Sequence, residues 1–246
     1  MAQGRFGKYK KEDSHGIRQA ETSGGEIQRL RQLREMLRSM TPGQAMQVME
    51  FYLGLNVFEA LALAKKEGAL IVPNYVHDRI LTESEDKAFV RNCAVWTGTA
   101  VIHEAKGKAF GETAVFRWNY ADAAQHAISF VVPAAFRGKK DCALVVEHPD
   151  FDFISLGSRS YGLRVSDEGR IHLLKNFPRE YGWYHYDEKS RIPAGDQVRA
   201  GGRYLRRNNG SYLGLVARGD WGGDGNGRDV LLGAEPSVGI RVAVVR

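Results

Sequence analysis

The chain has few cysteines, and this scarcity excludes several classes of protein. Only Cys93 and Cys142 occur among its 246 residues. Two thiols cannot form the disulfide framework of a small secreted domain, and they cannot supply a cysteine-based zinc site. Each cysteine lies within an apolar run. We therefore expect both to be buried free thiols, because cysteine packs like a small apolar residue.

Long apolar runs are also lacking. No stretch approaches the roughly 18 consecutive apolar residues that a membrane-spanning helix needs, and the first residues contain no apolar segment typical of a secretory signal. The sequence therefore predicts no membrane span and no signal peptide. It favours a protein of the cytoplasm or a component of a virion.

Motifs of common catalytic chemistry are missing as well. Ser155, Ser158 and Ser160 lack the Gly-x-Ser-x-Gly context of a hydrolase nucleophile. The glycines at 222–225 precede neither a lysine nor a helix start, so they do not indicate a phosphate-binding loop. The sequence indicates no cofactor and no catalytic residue, and we expect a protein that is not an enzyme.

What is present is the composition of an ordinary globular domain. Hydrophobic residues make up 43% of the chain and charged residues 26%, and 246 residues can bury a sizeable core. The net charge is +6, with much of the excess within residues 5–38. A basic arm favours solubility, and association with nucleic acid through this arm is the alternative function that the charge allows.

The first 70 residues divide into an arm and a helical unit. Residues 1–25 have no periodicity, which is typical of a mobile basic arm. Residues 26–40 predict a helix whose apolar stripe packs on the protein's own domain, with a homo-oligomer contact through the helices as the alternative. The stripe consists of Ile27, Leu30, Leu33, Met36, Leu37 and Met40. The opposite face, which we expect in solvent, carries Arg29, Arg31, Arg34 and Arg38.

Two capping boxes predict the next helices. Thr41 and Gln44 open a helix over residues 42–53, with Pro42 at its first position. Asn56 and Glu59 repeat the pattern and open a helix to about residue 66, which Gly68 ends in the left-handed conformation. Residues 26–70 are therefore expected to be a helical unit. Its leucine- and alanine-rich second half does not favour a DNA-reading helix.

From residue 74 onward the apolar period becomes strand-like. Strands are predicted at 94–103, 113–118, 126–132, 142–147, 153–156, 161–165 and 171–174. Strands and helices do not alternate, so a parallel α/β sheet is not expected. The predicted fold class is α+β, with N-terminal helices followed by a β-rich domain over residues 71–246. Residues 176–199 are predicted to be one of its long irregular loops.

Two groups of residues are candidates for chemistry. Glu147, His148, Asp150 and Asp152 could bind a metal ion or serve an enzyme, and the alternative is a solvated turn between strands. His77 and Asp78 could form an oriented general base. On the predicted strand, however, adjacent side chains point to opposite faces, which favours a structural role for each.

The last 46 residues carry the most specific pattern. Short apolar runs alternate there with strings of Gly, Asp, Asn and Arg, which predicts short strands joined by exposed loops. The frame of this stretch resembles the C-terminal signature of the C-type-lectin fold of the formylglycine-generating-enzyme kind, and it is similar to variable proteins diversified by retroelements. The residues that carry the resemblance are Gly210, Ser211, Tyr212, Val216, Ala217, Arg218, Arg228, Asp229, Val230, Pro236, Ser237, Gly239, Ile240, Arg241, Val242 and Ala243.

The resemblance implies a C-type-lectin-like domain that displays a changeable surface. In that family, adenine-directed mutagenesis by a diversity-generating retroelement rewrites the residues between the frame positions, and these bind a protein or glycan ligand. Arg218, Arg228, Pro236 and Ser237 would belong to the frame. The enzymatic chemistry of the fold requires reactive cysteines, and neither cysteine lies in this region. The implied variable positions are Arg206, Gly219, Asp220, Trp221, Gly222, Gly223, Asp224, Gly225, Asn226, Gly227, Asp229, Leu231, Gly233, Ala234 and Val238.

Overall fold

Helices and strands together form an α+β fold, as the sequence predicts. The computed structural model describes residues 6–7, 24–83, 95–119, 125–178, 180, 182–199, 202–205, 210–219, 229–231 and 240–246. The helices in these residues are α1 (Gly24–Ser39), α2 (Pro42–Val48), α3 (Val57–Lys66) and α4 (Asn74–Glu83). None of them is long and apolar enough to cross a membrane.

The strands belong to a larger and a smaller sheet. Those of the larger sheet are β1 (Phe6–Gly7), β2 (Glu50–Leu55), β3 (Leu70–Ile71), β4 (Val95–His103), β7 (Cys142–Glu147), β10 (His172–Lys175), β11 (Gly182–Tyr186), β12 (Pro193–Gln197), β13 (Arg203–Leu205), β14 (Tyr212–Gly219), β15 (Asp229–Leu231) and β16 (Ile240–Val245). Those of the smaller sheet are β5 (Thr113–Asn119), β6 (Gln125–Val131), β8 (Phe151–Gly157) and β9 (Ser160–Val165).

The larger sheet is mixed, and the C-terminal strand lies inside it. Its main order is β1-β2-β16-β4-β14-β15-β13-β11-β12, and β7 and β10 extend from β4. Strand β16 is antiparallel to β2 and parallel to β4. Strand β2 lies within the segment expected to be a helical unit and β3 begins at its last residue, and both strands pair with β16. The N-terminal segment and the C-terminus thus share one sheet.

One face of the larger sheet packs against the smaller sheet. Alternate residues of the central strands point into this layer, including Trp96 and Ile102 of β4 and Val242 and Val244 of β16. They meet Ile128 and other apolar side chains of the smaller sheet. Every residue of β4 is buried, which fits a strand covered on both faces.

The opposite face of the larger sheet is covered by helices. Leu30 and Leu37 of α1 and Ile80 of α4 pack against Val95 of β4 and Val245 of β16. Leu30, Leu33 and Leu37 of the predicted stripe therefore pack on the protein's own domain, as the sequence predicts, whereas Met36 of the same stripe is 40% exposed. A contact between copies of the chain through the helices stays a prediction.

Both capping boxes form as predicted. In each, the cap side chain accepts from the backbone of the third helical residue and that residue's side chain accepts from the cap backbone, at Thr41 with Gln44 and at Asn56 with Glu59. Gly68 has the predicted left-handed conformation, with φ of 56°. These signals are correct because each depends on only a few neighbouring residues.

Three predictions of local structure are wrong. The helix expected over 42–53 ends at Val48, and the chain continues as β2 because pairing with β16 outweighs the helical spacing. Residues 74–83, expected to begin the strand region, form α4. The loop expected over 176–199 contains the antiparallel pair β11 and β12. Trp183 and Tyr184 suit a strand, and Tyr184 is buried in the core.

Helix α4 contains Tyr, Val and Ile residues, whose intrinsic preference is for β-strands. Its buried residues are distributed around most of the helix circumference, as expected for a helix covered on several sides. The apolar ones, Tyr75, Val76, Ile80 and Leu81, pack with side chains of α1 and of the larger sheet. Tertiary packing thus decided the structure, since β propensity is a weak and context-dependent preference.

The backbone of β4 at Gly98 lies directly against the backbone of β3 at Ile71. A Cβ atom at this position would lie 2.1 Å from the carbonyl oxygen of Ile71. The Gly98 amide donates to the Val72 carbonyl at 2.7 Å, and its carbonyl accepts from the His148 amide at 2.8 Å. A side chain cannot be accommodated here without moving backbone.

Candidate functional site

The described frame residues of the C-terminal pattern are largely buried. Tyr212, Val216 and Ala217 of β14 and Val242 and Ala243 of β16 all lie in the core. Arg218 is fully buried, at 0% exposure. Arg228, Pro236, Ser237 and Gly239 lie outside the described residues. The described part of the frame is thus built into the centre of the larger sheet.

Few of the predicted variable positions lie within the described residues. Gly219 ends β14 and pairs with Asp229, the first residue of β15, and Leu231 pairs with Ala217. These three pairing positions belong to a hairpin. The other predicted variable positions, Arg206, Asp220, Trp221, Gly222, Gly223, Asp224, Gly225, Asn226, Gly227, Gly233, Ala234 and Val238, lie outside the described residues.

Strand register brings the ends of several strands to one end of the larger sheet. Val95, the first residue of β4, pairs with Arg218 on one side and with Arg241 on the other. Gly219 pairs with Asp229 one residue further along. The end of β14 and the starts of β4, β15 and β16 are therefore neighbours. We call this the hairpin end of the sheet.

A buried ionic network lies directly beneath the hairpin end. Asp78 of α4 is fully buried and accepts from two arginines. The Nη2 groups of Arg203 and Arg218 each donate to an Asp78 oxygen at 2.6 Å, and the Nε of Arg203 also donates to this carboxylate. The arginines come from β13 and β14. The network therefore fixes α4 against two strands of the sheet.

The network continues from Arg218 into helix α4 and the turn after β11. The Arg218 Nε donates to the Asn74 side-chain oxygen at 2.7 Å, and the Asn74 amide nitrogen donates to the Ser190 carbonyl at 2.6 Å. Ser190 in turn donates to Asp187 through its hydroxyl and its backbone amide. Burial alone would raise the pKa of Asp187. Hydrogen bonds with His172 and Ser190 outweigh this effect and lower the pKa to about 2. Asp187 thus remains a charged acceptor.

His77 and Asp78 do not form a general base oriented by a neighbouring carboxylate. They lie on a helix and not on the strand that the sequence predicts, and Asp78 is committed to the arginines. His77 is fully buried, and neither ring nitrogen has a hydrogen-bond partner among the described residues. Burial, assisted by the charge of Arg218, lowers the pKa of His77 to about 3. The ring is therefore neutral, and each residue has a structural role.

The acidic segment at 147–152 is not a solvated turn. Asp150 is 1% exposed, and two arginines of α1 bind it, Arg31 at 2.6 Å and Arg34 at 2.8 Å. Glu147 lies near Arg34 and Arg38 at 3.7 and 3.5 Å. Asp152 lies near Lys65 at 3.6 Å. The carboxylates are thus engaged with cationic side chains.

His148, which lies in the same segment, is also held by neighbouring residues. Its Nδ1 accepts from the Ile71 amide at 3.2 Å, and burial together with Arg34 lowers its pKa to about 4. In the part of the chain that the structure describes, no three His, Cys, Asp or Glu side chains are grouped to hold a metal ion. The metal site considered for Glu147, His148, Asp150 and Asp152 therefore has no support from geometry.

The arginine face of α1 was expected in solvent, and this expectation is wrong for Arg34. Its side chain is 7% exposed, and Arg31 and Arg38 also turn toward the acidic segment. The spacing 31, 34, 38 places the three arginines on one helix face, which the sequence does indicate. Their acidic partners lie more than 100 positions away, which the sequence does not indicate.

Of the two cysteines, Cys142 is described, and it is buried as predicted. Cys93 lies outside the described residues. Comparisons of the chain with known protein families, with curated proteins and with solved structures found no match.

Proposed function

We propose that the chain is a ligand-binding protein that displays a diversified loop surface at the hairpin end of its larger sheet. The ligand would be a protein or a glycan, and no catalytic step is assigned. The C-terminal body would be a C-type-lectin-like domain. The proposal rests on the resemblance of the last 46 residues to retroelement-diversified variable proteins.

The observation that carries the proposal is a contrast along β14. Its frame positions Tyr212, Val216 and Arg218 are buried, and Arg218 is tied to Asp78 and Asn74. The proposed variable stretch, residues 219–227, begins with Gly219, the last residue of this strand. A fixed scaffold that carries changeable residues at its margin is the arrangement of most binding loops.

The proposed binding surface lies at a point of the sheet where the ends of several strands are neighbours. Strands β4, β15 and β16 begin at the hairpin end, where β14 ends. The proposed segment contains Trp221 as an aromatic anchor among Asp, Asn and Gly residues. This composition suits adaptable recognition, as in antibody loops.

The interior position of β16 supports the scaffold half of the proposal. Strand β16 contacts β2, β3 and β4, and Val242 to Val245 are buried. Changes at residues 220–227 would therefore leave β16 unchanged, whereas the variable positions Gly219, Asp229 and Leu231 are themselves pairing positions of β14 and β15. A display protein requires this separation of stability from recognition.

The gene offers the first test. If the chain is diversified, codons of the variable positions should be biased toward forms that adenine mutation produces, and a near-copy of this stretch with adenines at those sites should lie close to a reverse-transcriptase gene. Sequencing the locus checks this. A locus with neither near-copy nor reverse transcriptase would remove diversification from the proposal.

A stability comparison offers the second test. Trp221→Ala and Asp224→Ala, placed at variable positions, should each change the free energy of unfolding by less than about 0.5 kcal/mol. Arg218→Met, placed in the frame, should cost about 3–5 kcal/mol because it leaves Asp78 with one arginine. Urea unfolding of the full chain measures all three. Loop variants as damaging as Arg218→Met would show that the segment is part of the core.

A further inference from the structure

A pocket between α1 and the turns that follow β9 and β11 has no role in the proposed display surface. Its volume is about 340 Å³, at the lower end of the range for small-molecule sites. It includes none of the predicted variable positions. The lining residues that matter for binding are Arg34, Arg38, Glu147, Arg170, His172 and Lys189.

Positive charge dominates the pocket. Arg34, Arg38, Arg170 and Lys189 line it, against the carboxylates Glu35, Glu147 and Asp150. Asp150 is bound by Arg34 and by Arg31, which stands outside the lining. Counting Arg31 and also Asp167, which pairs with Arg170 at 3.5 Å, five cations face four carboxylates and leave a surplus of one positive charge. Such a concave cationic site attracts anions.

The cations of the pocket come from three separate elements. Arg34 and Arg38 project from α1, Arg170 lies in the short 3-10 turn Glu168–Arg170, and Lys189 lies in the turn after β11. The Arg38 guanidinium is placed by the Tyr75 ring, 3.9 Å from the ring centre, and by a 3.4 Å hydrogen bond to the Lys189 carbonyl. Donors therefore converge from several directions on one space.

Two buried polar atoms of the pocket wall have no hydrogen-bond partner among the described residues. These are the Arg34 Nε, a donor, and the Glu147 Oε1. The Arg34 Nε lies 3.7 Å from oxygens of Glu35 and Glu147, which is too far for a hydrogen bond. Arg34 as a whole is 6% exposed. Orphaned buried polar atoms are rare, and here both belong to residues that line the same pocket.

We propose that this pocket binds a small phosphorylated molecule through its phosphate group. The Arg34 Nε, the Arg38 guanidinium and the Lys189 ammonium donate to phosphate oxygens, and Arg170 adds positive charge at the rim. A tetrahedral phosphate presents oxygens in several directions, which suits donors from three elements better than a planar carboxylate does.

The second orphaned atom fits the same ligand. Burial raises the pKa of Glu147, although the charges of Arg34 and Arg38 oppose this effect. A protonated Glu147 donates its O–H to a phosphate oxygen, and an ionised Glu147 accepts from the P–OH of a hydrogen phosphate. In either state Glu147 and the phosphate share one proton between them, as a hydrogen bond requires.

Calorimetric titration of the full chain with inorganic phosphate and with phenyl phosphate, at constant ionic strength, tests the proposal. Saturable binding of both probes is expected, with acetate at least tenfold weaker because its planar group engages fewer donors. Arg38→Gln and Lys189→Gln should each weaken phosphate binding by roughly tenfold, since each removes a charged hydrogen bond. These two residues are at least partly exposed, so their variants should remain folded.

Arg137→Gln provides the matched control. Arg137 is 41% exposed, pairs weakly with Glu112 and lies outside the pocket. Its substitution removes the same charge and should leave phosphate affinity unchanged. The proposal is overturned if folded wild-type protein shows no saturable phosphate binding, if acetate binds as tightly as phosphate, or if Arg137→Gln weakens binding as much as Arg38→Gln.

Discussion

Two buried neutral histidines should make the fold sensitive to mild acid. His77 and His148 have pKa values lowered to about 3 and about 4, in both cases chiefly by burial. The ordinary value, expected in the unfolded chain, is 6.5. Because the folded value lies below the unfolded value, the unfolded chain binds these protons first. Stability contributed by the neutral rings is therefore complete above about pH 6.5 and is lost as the pH falls.

The magnitude follows from the difference in proton binding. At about pH 5 each ring is mostly protonated in the unfolded chain and mostly neutral in the fold. Each therefore costs about 2 kcal/mol relative to neutral pH, given about 1.4 kcal/mol per pH unit. The two together cost about 4 kcal/mol, a large share of the stability of a typical domain. The raised pKa of Glu147 acts in the opposite direction.

Urea unfolding followed by tryptophan fluorescence, at about pH 7 and pH 5, isolates the histidine contribution. His77→Leu and His148→Gln should each reduce the loss of stability between the two pH values by about 2 kcal/mol. Glutamine at 148 retains an acceptor for the Ile71 amide. Ile80→Val on the same helix removes a buried methylene and should cost about 1 kcal/mol equally at both pH values. A His77→Leu protein with the wild-type pH dependence would refute the assignment of a buried neutral ring.

Two further variants test the close packing and the ionic network. Gly98→Ala should cost more than about 3 kcal/mol, because its Cβ would lie 2.1 Å from the Ile71 carbonyl oxygen, whereas Gly111→Ala, with no atom within 4 Å, should be nearly neutral by urea unfolding. Asp78→Asn should cost about 3–5 kcal/mol because it leaves two buried arginines without their carboxylate, and a melting temperature equal to that of the wild type would contradict this role.

The parts of the fold that the sequence predicts well depend on neighbouring residues. The capping boxes at Thr41 and Asn56 each involve four consecutive residues, and both are confirmed. Strand β7 begins and ends where its apolar run predicts, at Cys142–Glu147. In these cases local preference and tertiary packing favour the same structure, so a short window of sequence contains enough information.

Prediction failed where packing opposed local preference. Helix α4 contains Tyr75, Val76 and Ile80, which favour strands, yet these side chains pack with α1 and the larger sheet as parts of a helix. Residues 50–53, predicted to end a helix, belong to β2 because β16 is a partner strand there. The decisive neighbour of β2 lies almost 200 positions further along the chain. No local pattern contains that information.

The candidate site shows the same limit for charged residues. No local pattern around Asp78 indicates an ion pair, because its partners Arg203 and Arg218 are 125 and 140 positions away in the sequence. The resemblance assigned Arg218 to the frame, and its burial agrees with that role. The ionic partner of Arg218 became visible only once α4 and β14 were placed side by side.

The arginine pairs also change the interpretation of the positive net charge. Asp78 and Asp150 are buried, and each is held by two arginines, so four guanidinium groups surround two carboxylates. These pairs account for two of the six excess positive charges of the chain. A buried carboxylate needs several hydrogen-bond donors to fill its acceptor positions, and arginines donate to Asp78 and Asp150 here. Part of the basic character thus arises from holding helices α1 and α4 to the sheet, which requires no nucleic acid partner.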